Sequence, residues 1–198
     1  MAACGTHIEF EGEKLFELLL TKEQIGHILA VLRKHQIPMV LEGPHYIYVD
    51  EKDFVDDPYV IYLRNELGEN LKSITGTAQY EVNKLSAELG NADVELVRKE
   101  LGTEFDMIVH EPDGILEIGQ AGHSKASGIE RLCASLGIAK EDTYAFGDSA
   151  NDVEMLEFVA HGIAMGNGTD VAKNAAEFVT TDIHKDGIWN GLKHYGLI

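Results

Sequence analysis

Basic residues are scarce in this sequence. Its 198 residues include 16 Lys and Arg against 34 Asp and Glu, which gives a net charge of −18. Proteins that bind nucleic acid or anionic membranes do so through clustered Lys and Arg side chains. The composition therefore argues against nucleic acid or a membrane surface as the main partner, and it leaves small molecules open.

Cysteines and long apolar runs are also few. The two cysteines, Cys4 and Cys133, form no Cys-x-x-Cys pair and no disulfide framework, which favours a reducing compartment. No apolar run approaches membrane-spanning length, and the first residues lack the basic and apolar regions of a signal peptide. We therefore predict a cytoplasmic protein without a membrane segment.

Several common signatures of enzyme active sites are missing. The nine histidines form no His-Glu-x-x-His motif, so the sequence gives no support for zinc. The Gly-x-Ser-x-Gly motif of α/β-hydrolases and the P-loop of nucleotide hydrolases are also absent. These absences exclude the usual forms of three large enzyme classes.

The residues that are present predict a globular protein with an ordinary core, since 44% are hydrophobic and 25% charged. Residues 1–19 contain a β-hairpin that bends at Gly12, and residues 20–112 form a predicted α/β module. Within the module we predict helices over 21–36, 58–67, 78–89 and 93–101, and strands over 38–41, 46–49, 70–74 and 105–110.

Residues 113–198 change to a regular alternation of strand and helix. The predicted strands are 115–118, 143–146, 162–165 and 178–180, and the predicted helices are 125–136, 152–160, 171–175 and 188–195. Strands that alternate with helices imply a parallel sheet, so the predicted fold class is α/β with a doubly wound core.

One polar stretch follows a short apolar strand in this second half. Gly147-Asp148-Ser149-Ala150-Asn151-Asp152 comes after Tyr144-Ala145-Phe146 and before an amphipathic helix. Ligands of open α/β sheets bind at the carboxyl ends of strands, and two nearby carboxylates suit a hard cation. The alternative is a polar turn that only caps the next helix.

Lys125 stands at the start of a predicted helix, where a cation is mildly unfavourable. A bound phosphate would explain this position, because helix N-terminal amides and an ammonium group both attract phosphate. A solvated surface lysine is the alternative. Gly166-Asn167-Gly168 lacks the third glycine of a dinucleotide motif and predicts a tight turn at a strand end.

Three stretches together carry a family resemblance: His123–Ala126, Gly147–Leu156 and Ala164–Gly168. They closely resemble the haloacid dehalogenase (HAD) superfamily, and more narrowly its Cof-type sugar-phosphate phosphatases. The resemblance implies that residues 113–198 form the C-terminal half of a HAD-like, Rossmann-like core. It further implies that residues 1–19 are a core hairpin and that residues 20–112 are an α+β cap that sets substrate specificity.

The resemblance also implies a role for each matching side chain. Lys125 would be catalytic and would bind phosphate, Asn151 would lie beside the phosphate, and Asp148 would bind Mg²⁺. Asp152 would support the metal through water or hydrogen bonds. The implied reaction is Mg²⁺-dependent hydrolysis of a small phosphomonoester, such as a sugar phosphate, through an aspartyl-phosphate.

One part of the family pattern is absent from the sequence. The nucleophile and the general acid of the family belong to an Asp-x-Asp-Gly-Thr motif, and no Asp-x-Asp occurs in these 198 residues. We therefore expect this chain alone to be inactive or nearly so as a phosphatase.

Two explanations of this absence stay open. The favoured one is a fragment of a complete phosphatase, because a half-core would expose an unpaired sheet edge and apolar surface through which it could self-associate. The other is a naturally short, non-catalytic module that binds a phosphate ligand or a protein. An in-frame Asp-x-Asp-Gly-Thr upstream in the coding sequence would exclude the second.

Overall fold

The chain divides into two units in the computed structural model, which describes residues 1–50, 54–74, 80–110 and 113–198. The core unit comprises Met1–Phe16 and His123–Ile198. The middle unit comprises Glu17–Gly122.

The predicted N-terminal hairpin is confirmed. Strands β1 (His7–Phe10) and β2 (Glu13–Glu17) form a two-stranded sheet. The chain turns between them at Gly12, whose φ of 82° lies in the left-handed region that glycine adopts readily.

The middle unit is built on a mixed sheet of six strands in the order β5-β4-β3-β6-β8-β7. Neighbouring strands are antiparallel except β4 and β5, which are parallel. Its elements are α1 (Lys22–Lys34), β3 (Met39–Glu42), β4 (Ile47–Val49), α2 (Pro58–Leu67), β5 (Leu71–Ser73), β6 (Lys84–Glu88), α3 (Val94–Leu101), β7 (Phe105–His110) and β8 (Ile115–Gln120).

Two apolar clusters hold this sheet between helices. The larger one joins α1 and α3 to one sheet face and includes the fully buried Ile28, Leu41 and Leu85. The smaller one places Val60 of α2 against Val40 and Val49 of the sheet. Each face is therefore at least partly covered, as the alternation of side chains along the strands requires.

The predicted helix over 78–89 is wrong throughout its described part, 80–89, and its first residues, Ala78 and Gln79, lie outside the described residues. Lys84–Glu88 is strand β6, which pairs with β3 on one side and β8 on the other. Val82, Leu85 and Leu89 have the spacing of a helical face, but Leu85 and Ala87 also alternate with polar residues. Pairing on both edges of β6 decides between the two patterns.

The boundary between the units also differs from the sequence-based one. The sequence pattern predicts that the C-terminal half begins at residue 113, before strand β8, whereas β8 pairs with β6 and β7 of the middle unit. The middle unit consequently extends to Gly122 instead of ending at residue 112.

The core unit confirms the predicted parallel sheet. Its three strands have the order β11-β10-β9 and run parallel. The elements are α4 (Lys125–Leu136), β9 (Tyr144–Gly147), α5 (Val153–Phe158), β10 (His161–Ala164), α6 (Asp170–Ala175), β11 (Phe178–Val179) and α7 (Gly187–His194).

Helices of the core unit pack on both faces of this sheet. Ala145 of β9 joins Met155 and Ile129, from α5 and α4, in one apolar cluster. Its neighbour Phe146 points to the opposite face, where its ring lies against Gly191 of α7. The core unit is therefore doubly wound.

The strand register brings the ends of β9 and β10 level. Gly147, the last residue of β9, is paired with Ala164, the last residue of β10. The polar stretches that follow them, 148–152 and 165–169, thus start at the same sheet edge.

In the part of the chain that the structure describes, no helix is both long and apolar enough to span a bilayer.

Candidate active site

Asp152 is the buried centre of the polar stretch after β9. Only 4% of the residue is exposed. Its Oδ2 accepts hydrogen bonds from the backbone N–H groups of Asp148, at 2.8 Å, and Ser149, at 3.1 Å. The carboxylate therefore closes the loop on itself and fixes the backbone of Asp148.

Gly147 makes this arrangement possible. A Cβ atom at that position would lie 2.6 Å from the Cβ of Asp152. Any larger residue at position 147 would push the Asp152 carboxylate away from the backbone N–H groups that donate to it. Glycine is therefore required here, because the Asp152 side chain packs directly against the backbone of residue 147.

Lys125 reaches the same carboxylate from α4. Its Nζ donates to Asp152 Oδ1 at 2.6 Å and to Asn151 Oδ1 at 3.0 Å. Ser124 caps the helix by accepting from the N–H of Ser127. The Lys125 side chain is 27% exposed, so the ammonium group is accessible while it is held by Asp152. This ion pair explains how a cation is tolerated at a helix start.

Asn151 is oriented by two donors. Its Oδ1 accepts from Lys125 Nζ and from Ser149 Oγ, the latter at 2.8 Å. The side-chain oxygen of Asn151 therefore faces Lys125, and the side-chain NH₂ group of Asn151 points away from Lys125.

Asp148 differs from Asp152 because its side chain is exposed. Its backbone is nevertheless fixed by the next loop, where Thr169 donates to the Asp148 carbonyl from its N–H at 2.8 Å and from Oγ1 at 3.3 Å. Gly168 permits this contact, since a Cβ there would lie 3.0 Å from Asp148 Cα. An exposed carboxylate thus projects from a rigid backbone.

The structure brings together all four residues selected from the sequence: Lys125, Asp148, Asn151 and Asp152 lie on one connected network. It adds Ser149 and Thr169, which the sequence reasoning did not select. The sequence feature that could have pointed to Thr169 is its position just before a predicted helix, where threonine is a favoured N-cap. In the structure its side chain does cap α6, by accepting from Ala172 N. The predicted tight turn is confirmed, with Gly168 N donating to Met165 O at 2.9 Å.

The hydrogen bonds around Asp152 determine its ionisation. Burial raises the pKa of its carboxyl group, but the bonds from Lys125, Asp148 N and Ser149 N together outweigh burial. The net pKa lies below the ordinary value of 3.8, so the carboxylate is charged at neutral pH.

The donor set suits a magnesium ion held only in part by this chain. Mg²⁺ commonly takes one or two protein carboxylates and completes its shell with water and phosphate oxygens. Asp148 offers an exposed carboxylate, whereas the Asp152 oxygens already accept from Lys125 and two backbone amides. Across 1–50, 54–74, 80–110 and 113–198, no three His, Cys, Asp or Glu side chains are grouped to hold a metal ion.

The fold and the site together define an α/β protein in which a cation and two carboxylates meet at the carboxyl end of a parallel strand, where such sheets bind ligands. The family model described as haloacid dehalogenase-like hydrolase matches residues 1–192, and the chain belongs to this family. The resemblance inferred from the motifs is confirmed.

Two relatives have names that state a phosphatase activity. The chain is 36% identical over 138 residues to the 5-amino-6-(5-phospho-D-ribitylamino)uracil phosphatase YitU of Bacillus subtilis, which covers 67% of this chain and 47% of the relative. It is 29% identical over 193 residues to the phosphoglycolate phosphatase of Halobacterium salinarum, with 82% and 85% covered. Both relatives are named as phosphatases, and the chain is similar to each over the residues given.

A solved structure agrees on the fold. The HAD subclass IIB sugar phosphatase BT4131 superposes with a TM-score of 0.82 at 24% identity, over 98% of this chain and 74% of that one. The chain spans about half the length of the YitU relative, at 47%.

Proposed function

We propose that this chain carries the lysine and metal-loop side of a Mg²⁺-dependent phosphatase site. The substrate is a small phosphomonoester such as a sugar phosphate, and the reaction proceeds through an aspartyl-phosphate whose aspartate is not among these residues. The supporting observation is the 2.6 Å contact of Lys125 Nζ with Asp152 Oδ1, which joins the start of α4 to the loop that displays Asp148.

Each side chain has a distinct task in this proposal. Lys125 offsets negative charge on the transferring phosphoryl group, and Asn151 lies at the edge of the phosphate. Asp148 is the direct ligand of the metal, while Asp152 holds Lys125 and the loop in place. Mg²⁺, when bound, supplies positive charge to the phosphate oxygens, the main requirement of phosphoryl transfer.

The middle unit is assigned the role of a cap that selects the substrate, and the protein is assigned to the cytoplasm. Neither nucleic acid nor a membrane is expected as a partner. Strand β9 is an edge strand of the sheet that the described residues form. Self-association of this chain through that edge is expected, and size-exclusion chromatography over a range of concentrations tests it.

The proposed roles are tested in a form of the protein that carries an Asp-x-Asp-Gly-Thr segment, encoded upstream in frame or fused from the YitU relative. Steady-state hydrolysis is measured as a function of Mg²⁺ concentration. Asp148→Asn should raise the Mg²⁺ concentration needed for half-maximal rate, and Lys125→Ala should lower the turnover number about 100-fold or more.

Glu157→Gln serves as the matched control, because it removes an exposed carboxylate from α5, away from the polar network. Its kinetics should equal those of the parent. Parent-like kinetics for both Asp148→Asn and Lys125→Ala would refute the proposed roles.

A further inference from the structure

A cleft of about 410 Å³ lies in the middle unit. It is formed by the residues after α1, the start of α2 and the connection from β6 to α3, and its lining residues are 35, 36, 38, 57–58 and 88–92. Its volume falls within the usual range for small-molecule sites, roughly 300–1,000 Å³. None of the residues of the proposed phosphatase site lines it, so it needs its own explanation.

Glu88 is, with Asp57, one of the two acidic residues that line this cleft. It is the last residue of β6, where Lys84, Ser86 and Glu88 share the face opposite the buried Leu85 and Ala87. No side chain that the structure describes forms a hydrogen bond or ion pair with the Glu88 carboxylate. A half-buried carboxylate in a concave wall thus lacks a counter-charge from the described residues.

The remaining charges of the lining do not neutralise Glu88. His35 is the one lining residue that can become positive, and its Nε2 lies 3.3 Å from Glu100 Oε1, outside the cleft. The Asp57 carboxylate caps α2 by accepting from Tyr59 N at 2.9 Å. The α1 helix ends beside the cleft with a partial negative charge and α2 begins there with a partial positive charge, so the helix ends offset each other and the Glu88 carboxylate decides the preference.

Apolar surface completes the site. Pro38, Pro58, Leu89 and Ala92 contribute carbon-rich walls between the polar groups. Such walls suit a short methylene chain, while the electrostatics favour a cationic end group. We propose that this cleft binds a small aliphatic amine whose ammonium group pairs with the Glu88 carboxylate.

Putrescine, titrated into the 198-residue chain at low salt, is the probe. Binding is followed by ¹H–¹⁵N NMR, and saturable shifts are expected for the amides of Gly90 and Asn91. Glu88→Gln keeps the size of the side chain and should weaken binding about tenfold, because the ammonium group loses its partner. Butane-1,4-diol, which has similar length and no charge, should bind far more weakly.

Glu66→Gln is the matched control, since it removes one exposed carboxylate from α2 outside the cleft. Its affinity for putrescine should equal that of the parent chain. If both variants weakened putrescine binding equally, the binding would reflect only the general attraction of a cation to a chain of net charge −18, and the proposal would be overturned. Absence of saturable shifts at Gly90 and Asn91, or displacement of putrescine by Mg²⁺ at constant ionic strength, would overturn it too.

Discussion

At the scale of single residues, the two aspartates of the loop have opposite environments. Asp152 is buried and accepts from Lys125 and from two backbone amides, whereas the Asp148 carboxylate is exposed. The spacing of four residues suggested a hard-cation site, and the family resemblance implied that Asp148 binds Mg²⁺ while Asp152 supports the metal. We propose the same division of roles, because the Asp148 carboxylate is exposed and the Asp152 carboxylate is not.

Replacement of Asp152 should cost more stability than replacement of its partner. Asp152→Asn leaves a single acceptor oxygen for Lys125 and two backbone N–H groups, and should lower the free energy of unfolding by about 3 kcal/mol. Lys125→Met leaves the two backbone bonds in place and should cost only about 1 kcal/mol, because the lysine is partly solvated. Urea denaturation followed by circular dichroism measures both; equal costs would contradict the assigned geometry.

The contribution of Asp152 should also depend on pH. Its pKa in the folded protein lies below the ordinary 3.8, so the unfolded chain binds more protons in the interval between the two values. The stabilisation that the Asp152 carboxylate contributes is fully present at pH values above 3.8, and it is lost as the pH falls through the pKa of Asp152 in the folded protein. The stability difference between the parent and Asp152→Asn should therefore stay constant near neutrality and narrow in acid, measured by urea denaturation from about pH 7 to about pH 3. A difference that is independent of pH would contradict this.

At the scale of elements, periodicity placed most helices and strands correctly, including the whole alternating series after residue 113. The error at Lys84–Glu88 arose because five residues fit both a helical face and a strand. Only the partners β3 and β8 decide the outcome, and they are distant in sequence. The same limit applies to Thr169, whose bonds to Asp148 depend on the parallel pairing of β9 with β10.

Two glycines in strands, Gly162 of β10 and Gly119 of β8, test how closely α5 packs on β10. A Cβ at Gly162 would meet the backbone of Leu156, with the Leu156 Cα at 3.0 Å, while one at Gly119 of β8 would meet nothing within 4 Å. Gly162→Ala should therefore lower the free energy of unfolding by about 2 kcal/mol, since the helix must move away. Gly119→Ala should be neutral or slightly stabilising. Thermal unfolding compares the two, and an equal effect would argue against close helix–strand contact.

At the scale of the molecule, the sequence motifs and the fold lead to the same family, and the chemistry of the site is nevertheless incomplete within these residues. In the proposed function, Lys125 and the loop 148–152 attract a phosphate and a metal, but neither supplies a nucleophile. The family resemblance implies that the nucleophile is an aspartate of Asp-x-Asp, a motif that these 198 residues do not contain. This chain should therefore be able to bind a metal and a phosphate without hydrolysing a phosphomonoester.

The purified 198-residue chain should release little or no p-nitrophenol from p-nitrophenyl phosphate, with or without Mg²⁺. Charge stabilisation by Lys125 and a metal accelerates phosphoryl transfer only when an attacking group is positioned in line. The Asp148→Asn variant should accordingly leave the residual rate unchanged, because no step in the isolated chain depends on the metal. Robust turnover that requires Mg²⁺ and falls in Asp148→Asn would contradict the prediction and would mean that another residue of this chain can serve as the nucleophile. Thermal stabilisation by inorganic phosphate without turnover would instead favour the non-catalytic binding module.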